Sequence, residues 1–167
     1  AGYQCSAGIR TACAKGELSD PKQAACRACA PGTVPDGSSC AVCEPGSSAE
    51  FGAEACSPCA AGTVAPDSST SFCAVCAQGE YANAASTKCL DCEAGSACSA
   101  GAKTPCAEGK ASGSGASYCV DCIAGTFLNL NGNTCETCAL GHVSKTGAES
   151  CTPCEAGTFQ NGIECLA

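Results

Sequence analysis

The sequence predicts a small disulfide-rich fold, an elongated rod of tandem hairpin repeats of about 16 residues with short β-hairpins and little other regular secondary structure. Three observations lead to this prediction. The 167 residues include 21 cysteines, a fraction typical of disulfide scaffolds. Only 19 residues are Leu, Ile, Val or Phe, too few to stabilise a conventional apolar core. Most cysteines also recur in regularly spaced pairs, so we expect disulfide bonds to take the place of the core.

The cysteine content and the charge restrict the compartment and the partners. So many disulfides persist only in an oxidising medium, so we expect an extracellular or cell-surface protein secreted through an oxidising compartment. The net charge is −8 and the Lys and Arg residues form no basic run, which argues against nucleic-acid binding. No apolar stretch approaches the roughly 20 residues of a transmembrane helix, so we expect no transmembrane segment.

Eight Cys-x-x-Cys pairs define the repeated unit. A glycine follows the second cysteine of every pair by three residues, and Cys13 and Cys106 are followed by the same glycine. Because glycine adopts positive φ at low cost, this spacing predicts a fixed tight turn after each pair. Hairpin turns are predicted at Asp36-Gly37, Asn131-Gly132 and Asn161-Gly162. Two positions after the glycine, six units carry an apolar residue that we expect to cover a disulfide: Val34, Val64, Tyr81, Phe127, Val143 and Phe159.

A longer repeat of about 95 residues is superimposed on these units. The segment from Cys5 to Cys13 matches the segment from Cys98 to Cys106, since both read Cys-Ser-Ala-Gly-x-(Arg/Lys)-Thr-x-Cys. We therefore predict a first super-repeat at 1–97 and a second, truncated super-repeat at 98–167, with no independent linker between them.

Two disulfide connectivities fit the spacing, and the sequence alone leaves both open. In an interlocked arrangement, two successive pairs bond first to first and second to second, as in Cys26–Cys40, and the odd thiol is Cys154. In a ladder, the second cysteine of one pair bonds the first cysteine of the next. We favour the ladder because its last bond ends at Cys165. It also gives the same pairing to the two irregular units, which begin with Cys-Ser-Ala-Gly at Cys5 and Cys98. Its bonds are Cys13–Cys26, Cys29–Cys40, Cys43–Cys56, Cys59–Cys73, Cys76–Cys89, Cys92–Cys98, Cys106–Cys119, Cys122–Cys135, Cys138–Cys151 and Cys154–Cys165.

The ladder leaves Cys5 without a partner. In the super-repeat Cys5 corresponds to Cys98, whose ladder partner Cys92 lies upstream. An odd cysteine in a secreted protein indicates an intermolecular bond or a free thiol. We predict that Cys5 links protomers head to tail, a type of contact that generates filaments. The alternatives are that Cys5 is capped, or that the sequence is a window of a longer array.

Other chemistry for the cysteines gives weaker predictions. Paired Cys-x-x-Cys motifs also occur in zinc ribbons, but here the pairs do not group into fours and His142 is the only histidine. Thioredoxin-type redox sites require a βαβ pattern, which the sequence lacks. We therefore predict no catalytic, cofactor-binding or metal-binding residues, no cofactor, and a protein that is not an enzyme. Ser and Thr residues beside Pro and Gly are candidate acceptors for O-glycans.

The Cys-x-x-Cys-x-x-Gly-Thr units, such as the one from Cys56 to Thr63, resemble two groups of proteins. One group is the cysteine-rich repeats of ephrin-receptor-like and tumour-necrosis-factor-receptor-like ectodomains. The other is the cysteine-rich surface proteins of protists, notably the immobilisation antigens of ciliates, to which the richness in Ala, Ser, Thr and Gly is closer. The resemblance covers essentially the whole chain. It implies a structural extracellular protein that forms a coat or filament by end-to-end self-association, or alternatively a receptor-like ligand- or adhesion-binding module.

The repeat interpretation predicts a property of the protein in solution. Units that touch only their neighbours form a quasi-one-dimensional rod. A compact domain of 167 residues has a radius of gyration of about 15 Å. We expect small-angle X-ray scattering to give a value well above this figure, and a value equal to it would contradict the rod.

Overall fold

The computed structural model describes residues 2–6, 8–19, 25–131 and 133–167, which form a succession of short two-stranded sheets. These ranges contain no helix, and each odd-numbered strand pairs with the strand that follows it. The strands are β1 (Tyr3–Ser6), β2 (Ile9–Ala12), β3 (Glu17–Leu18), β4 (Arg27–Ala28), β5 (Thr33–Asp36), β6 (Ser39–Val42), β7 (Ser47–Ser48), β8 (Ser57–Pro58), β9 (Thr63–Val64), β10 (Ala74–Val75), β11 (Glu80–Ala82), β12 (Cys89–Asp91), β13 (Ser96–Ser99), β14 (Ala102–Pro105), β15 (Lys110–Ala111), β16 (Val120–Asp121), β17 (Thr126–Asn129), β18 (Thr134–Thr137), β19 (His142–Val143), β20 (Thr152–Pro153), β21 (Phe159–Asn161) and β22 (Glu164–Leu166).

Spatial contacts divide the chain into two compact units. Unit 1 comprises Ala1–Cys76 and Ala82–Cys89, and unit 2 comprises Ala77–Tyr81 and Leu90–Ala167. The loop-to-loop contacts given below each lie within one of these units. The super-repeat boundary between positions 97 and 98 is defined by sequence similarity and stays a prediction.

Ten disulfides close one loop each, and their connectivity is that of the ladder. Nine of the bonds join residues 11 to 14 positions apart, and Cys92–Cys98 spans 6 positions. Consecutive disulfides and short antiparallel hairpins confirm the predicted disulfide-rich repeat fold. Cys5 is free and exposed.

A tight turn begins each loop directly after a cysteine. At positions 30–33, Pro31 is followed by Gly32 with a φ of +79°, and the N–H of Thr33 donates to the carbonyl of Ala30 at 3.1 Å. A positive φ at the third position of this hydrogen-bonded turn defines type II, in which Pro is favoured second and glycine third. The Thr33 hydroxyl donates to the same carbonyl at 2.7 Å, which explains why Thr or Ser often follows the glycine. The equivalent main-chain hydrogen bond occurs in ten loops.

Main-chain hydrogen bonds join each loop to the next one. The N–H of a turn glycine donates to the carbonyl of the residue three positions after the next turn glycine, as Gly32 does to Ala49 at 2.7 Å. The same contact occurs for Gly46–Ala65, Gly79–Cys98, Gly95–Ser112 and Gly125–Ser144. The accepting residues are all buried, and all are small. Packing between neighbouring loops therefore depends on backbone groups and on side chains that allow close approach.

Loops also contact the loop after next, which differs from the predicted nearest-neighbour packing. A Cβ at Gly32 would lie 1.9 Å from the carbonyl oxygen of Ser69, which belongs to the second loop along the chain. A Cβ at Gly16 would meet the carbonyl oxygen of Gly52 at the same distance, and Gly46, Gly79 and Gly109 face main-chain oxygens in the same way. The expectation that units touch only their neighbours is therefore wrong, because a missing side chain lets second-neighbour backbones meet.

Cysteines, rather than large apolar residues, occupy the interior. The sequence has 22 Val, Ile, Leu, Phe and Tyr residues, and 15 of them are exposed. Only Leu18, Val64 and Leu128 of this set are buried. Five cysteines have no accessible surface: Cys29, Cys43, Cys92, Cys98 and Cys122. The six apolar residues expected to cover disulfides differ in exposure: Val64 is buried, Phe159 is exposed, and the others, Val34, Tyr81, Phe127 and Val143, are half-buried.

Two of the predicted hairpin turns lie one residue further along than expected. Strand β5 ends at Asp36, and Gly37 with a φ of +59° begins the two-residue loop. Strand β21 ends at Asn161, and Gly162 with a φ of +65° begins the corresponding loop. Only the first loop residue has a positive φ, as in a type II′ turn, so Asp and Asn remain in the strands. The third predicted turn includes position 132, which lies outside the described residues.

Replacing a turn glycine by alanine should be more costly where a second loop approaches it. Gly32 and Gly157 have φ values of +79° and +89°, so Gly32→Ala and Gly157→Ala share the strain of a positive φ. Only at Gly32 would the added Cβ collide with a carbonyl oxygen, since nothing described lies within 4 Å of a Cβ at Gly157. We expect Gly32→Ala to lower the free energy of unfolding by about 1–3 kcal/mol more than Gly157→Ala does. Urea unfolding of the oxidised protein, followed by near-ultraviolet circular dichroism, measures this difference, and equal losses would contradict the second-neighbour contact.

Replacing Ser69, in the loop between β9 and β10, by glycine should stabilise the protein. Ser69 has a φ of +64° at a position where other loops have Gly52, Gly115 or Gly147. A side chain at such a φ costs about 1–2 kcal/mol, so Ser69→Gly should raise the free energy of unfolding by roughly 1 kcal/mol. Ser68→Gly is the control, because this neighbour has no positive φ and glycine there should lower the free energy by about 0.4–1 kcal/mol. A loss of stability in Ser69→Gly would refute the assignment of strain.

Candidate functional site

The first hairpin, β1–β2, displays the free thiol. Cys5 lies opposite Arg10 in the register, and both residues are exposed. The guanidinium carbon of Arg10 lies 3.7 Å from the centroid of the Tyr3 ring. Residues directly opposite each other in an antiparallel pair, and residues two apart along a strand, share one face. The thiol, the cation and the ring therefore form one exposed face of the hairpin.

A buried serine fixes the hairpin in place. The N–H of Tyr3 donates to the hydroxyl oxygen of Ser19 at 2.9 Å, and that hydroxyl donates to the carbonyl of Tyr3 at 2.6 Å. Ser19 is only 1% exposed, whereas Tyr3 is exposed, so these hydrogen bonds are partly buried. The N–H of Cys13 donates to the carbonyl of Gly2 at 3.0 Å and extends the pairing.

The hairpin β13–β14 is an internal duplicate of β1–β2. Cys98 lies opposite Lys103 in the same register in which Cys5 lies opposite Arg10. The Ser112 hydroxyl donates to the carbonyl of Ser96 at 2.7 Å, as the Ser19 hydroxyl does in the first copy. The two hairpins differ in the state of this cysteine. Cys98 is fully buried and bonded to Cys92, whereas Cys5 is exposed and free.

Residues 77–81 of unit 2 cover the second hairpin. The N–H of Gly79 donates to the carbonyl of Cys98 at 3.0 Å. The Nζ of Lys103 lies 5.2 Å from the centroid of the Tyr81 ring, and Tyr81 forms a parallel bridge with Gly101. Residues 77–81 thus contact β13–β14 through a main-chain hydrogen bond at the edge of β13 and through an aromatic ring near the cation of Lys103.

An ion pair holds the cation of this contact. The Lys103 ammonium donates a hydrogen bond to the Glu93 carboxylate. This hydrogen bond is the main reason that the pKa of Glu93 is lowered and the pKa of Lys103 is raised from their usual values. Both side chains remain partly exposed, so the pair adds little to stability but restrains the Lys103 side chain above the ring.

The loop closed by Cys154–Cys165 has the same glycine turn as residues 77–80, but here the turn is exposed to solvent. Gly157 is exposed and has a φ of +89°, and the N–H of Thr158 donates to the carbonyl of Glu155 at 3.0 Å. Phe159 stands two positions after the glycine, as Tyr81 does after Gly79, and it is 58% exposed. This loop therefore presents a turn glycine and a ring to solvent.

Shallow grooves between adjacent loops are a second kind of candidate site. One such groove has a volume of about 450 Å³ and lies in unit 1 beside Ser48, Glu50 and Phe72. Phe72 is 71% exposed at its rim. In unit 2, a groove beside Ile163 also lies between two loops, whereas a groove beside Tyr118 is formed by the single loop closed by Cys106–Cys119. Such grooves combine an apolar surface with hydroxyl groups, as small binding sites do.

The structure also places the residues considered for other chemistry. The described residues contain no group of three or more His, Cys, Asp or Glu that could hold a metal ion. Sulfur atoms in the ten disulfides are not thiolates, the form of cysteine that binds zinc. His142 lies in β19, and its Nδ1 is 3.2 Å from the carbonyl oxygen of Leu140 in the preceding turn. No helix in the described ranges is long and apolar enough to span a membrane.

Comparison with known proteins leaves the family open, since neither a family model nor a curated protein matches the chain. The resemblance to receptor and protist surface repeats stays a prediction. Sequence reasoning singled out Cys5 and named Phe159 only as a cover for a disulfide, and it did not predict the exposure of Gly157 and Phe159. Their signal was present in the repeat, because each aligns with a residue that covers β13–β14, namely Gly79 and Tyr81.

Proposed function

We propose that this protein is a non-enzymatic structural subunit of an extracellular coat or filament, which assembles by end-to-end self-association. The observation that supports this is the backbone nature of the loop-to-loop contact, seen in the hydrogen bonds from Gly32 to Ala49 and from Gly79 to Cys98. Because these groups recur in loop after loop, a loop at one end of a copy offers a second copy the same donors and acceptors that it offers its own neighbour.

The proposed location is the cell surface or the extracellular space. The disulfides indicate an oxidising compartment, and secretion follows from the scarcity of stable disulfides in reducing cytosol. The net charge of −8 keeps separate copies soluble before they assemble. Exposed Ser and Thr residues are the proposed acceptors for O-glycans on the outer surface.

Covalent linkage through Cys5 needs a thiol of another chain, and in a second copy the unpaired cysteine is again Cys5, so this bond joins the β1–β2 hairpins of two copies and accompanies the noncovalent end-to-end contact. The thiolate of Cys5 first attacks a small disulfide such as oxidised glutathione, which releases one glutathione thiolate and leaves a mixed disulfide on Cys5. A thiolate of the second chain then displaces the other glutathione and forms the interchain bond. Two protein thiols are oxidised and one glutathione disulfide is reduced, so electrons balance.

The second candidate function is a receptor-like module for ligand binding or adhesion, and the groove beside Phe72 favours it. An exposed ring at the rim of a groove is typical of a surface that binds a partner. The two functions differ in what Phe72→Ala does. A binding module loses ligand affinity in this variant, whereas a structural subunit still assembles.

Self-association of the purified protein tests the proposal. We expect light scattering to show a mass that rises with protein concentration, and negative-stain electron microscopy to show particles of several joined copies. Under oxidised glutathione, non-reducing electrophoresis should show interchain products that Cys5→Ser removes, while the concentration-dependent association persists. A protein that remains monomeric at every concentration, with Cys5 open to alkylation, would contradict the proposed function.

A further inference from the structure

We infer that the loop closed by Cys154–Cys165 binds the β1–β2 hairpin of a second copy, in the register in which residues 77–81 bind β13–β14. This inference rests on the proposed function, because it specifies the contact through which copies associate. The occupant is a second copy of this chain, and the argument is continuity with a contact already present inside unit 2.

The β1–β2 hairpin offers the groups that its duplicate uses. The carbonyl of Cys98 accepts the N–H of Gly79, and Cys5 has the equivalent position in β1. Gly101, which forms the bridge to Tyr81, is buried, whereas its counterpart Gly8 is exposed. Cys98 and Gly101, which contact residues 77–81, are therefore buried, whereas Cys5 and Gly8 at the equivalent positions of β1–β2 are exposed.

The exposed side chains of β1–β2 fit an aromatic partner. Arg10 takes the place of Lys103, and the Tyr3 ring holds its guanidinium at 3.7 Å. Arginine stacks on aromatic faces and keeps its charge at all physiological pH values. A second ring on the partner then sandwiches the guanidinium, and desolvation of the cation strengthens the attraction.

The last loop offers the matching groups. Gly157 and Gly79 have φ values of +89° and +85°, so their N–H groups leave the turn in the same geometry. Phe159 aligns with Tyr81 and supplies the ring for the cation. We therefore expect the N–H of Gly157 to donate to the carbonyl of Cys5, and Phe159 to lie against Arg10, across the contact between copies.

The register makes a prediction about a disulfide. In the internal contact, the bond to Cys98 comes from Cys92, which lies three residues after Cys89. Cys165 aligns with Cys89, so the position equivalent to Cys92 is the one directly after Ala167. A cysteine added there should reach Cys5 of the second copy.

A mixture of two chains tests this register. One chain carries Cys5→Ser and one extra cysteine after Ala167, and the other is the unmodified chain, so the bond between the extra cysteine and Cys5 can form only between copies. After oxidation with glutathione disulfide, mass spectrometry of non-reduced peptides should identify this bond as the main interchain product. Arg10→Ala in the unmodified chain, or Phe159→Ala in the extended chain, should reduce its yield about 3- to 30-fold.

Phe51→Ala in the extended chain removes an exposed ring outside this contact, at 71% exposure against 58% for Phe159, and as the matched control it should leave the yield unchanged. Assembly without the expected bond overturns the register but leaves the proposed function standing. The register is likewise overturned by a bond whose yield does not respond to either Arg10→Ala or Phe159→Ala. Absence of association at any concentration, in the mixture and in the unmodified chain alike, overturns both the register and the proposed function.

Discussion

Every other feature of this fold depends on the disulfide that joins the second cysteine of one pair to the first cysteine of the next. The loops between bonded cysteines span 11 to 14 positions in all but one case, too few residues for an apolar core of their own. A crosslink of this span contributes about 3 kcal/mol by restricting the unfolded chain. The sulfur atoms also fill the interior, which is why Cys29 and Cys43 are fully buried while most large apolar side chains face water.

Once each loop is closed, glycine determines how the loops stack. The positive φ of Gly32 directs its N–H to the carbonyl of Ala49, and its missing side chain admits the carbonyl oxygen of Ser69 from the loop after next. Both contacts involve main-chain atoms, so they tolerate substitutions of the surrounding side chains. They do not tolerate a larger side chain at the contacting residues themselves. This requirement for small residues accounts for a composition rich in Ala, Gly and Ser, without invoking a separate role for each of them.

The disulfide-rich repeat fold could be predicted from the sequence because the spacing of cysteines along the chain can be read without knowing how the loops pack. The sequence did not predict the contact of Gly32 with Ser69, because that contact depends on how one loop is rotated relative to the second loop after it. The exposure of Phe159 was missed for a similar reason, since its sequence position matches that of the half-buried Tyr81 and only the surrounding loops distinguish them. Cys5 was found by counting and by alignment with Cys98.

Contacts made by recurring backbone groups are not specific, because every loop offers the same donors and acceptors. They therefore do not by themselves determine which loop binds which, or in what register. Inside the chain, covalent connectivity removes this ambiguity. Between chains, side chains must remove it, and we propose that the exposed pair of Arg10 and Tyr3 on β1–β2 has this role. In the contact that we propose, Phe159 is the complementary group, and a bond between Cys5 and a cysteine added after Ala167 requires that the two copies be aligned. Specificity in such an assembly thus resides in a few side chains, while cohesion resides in the backbone.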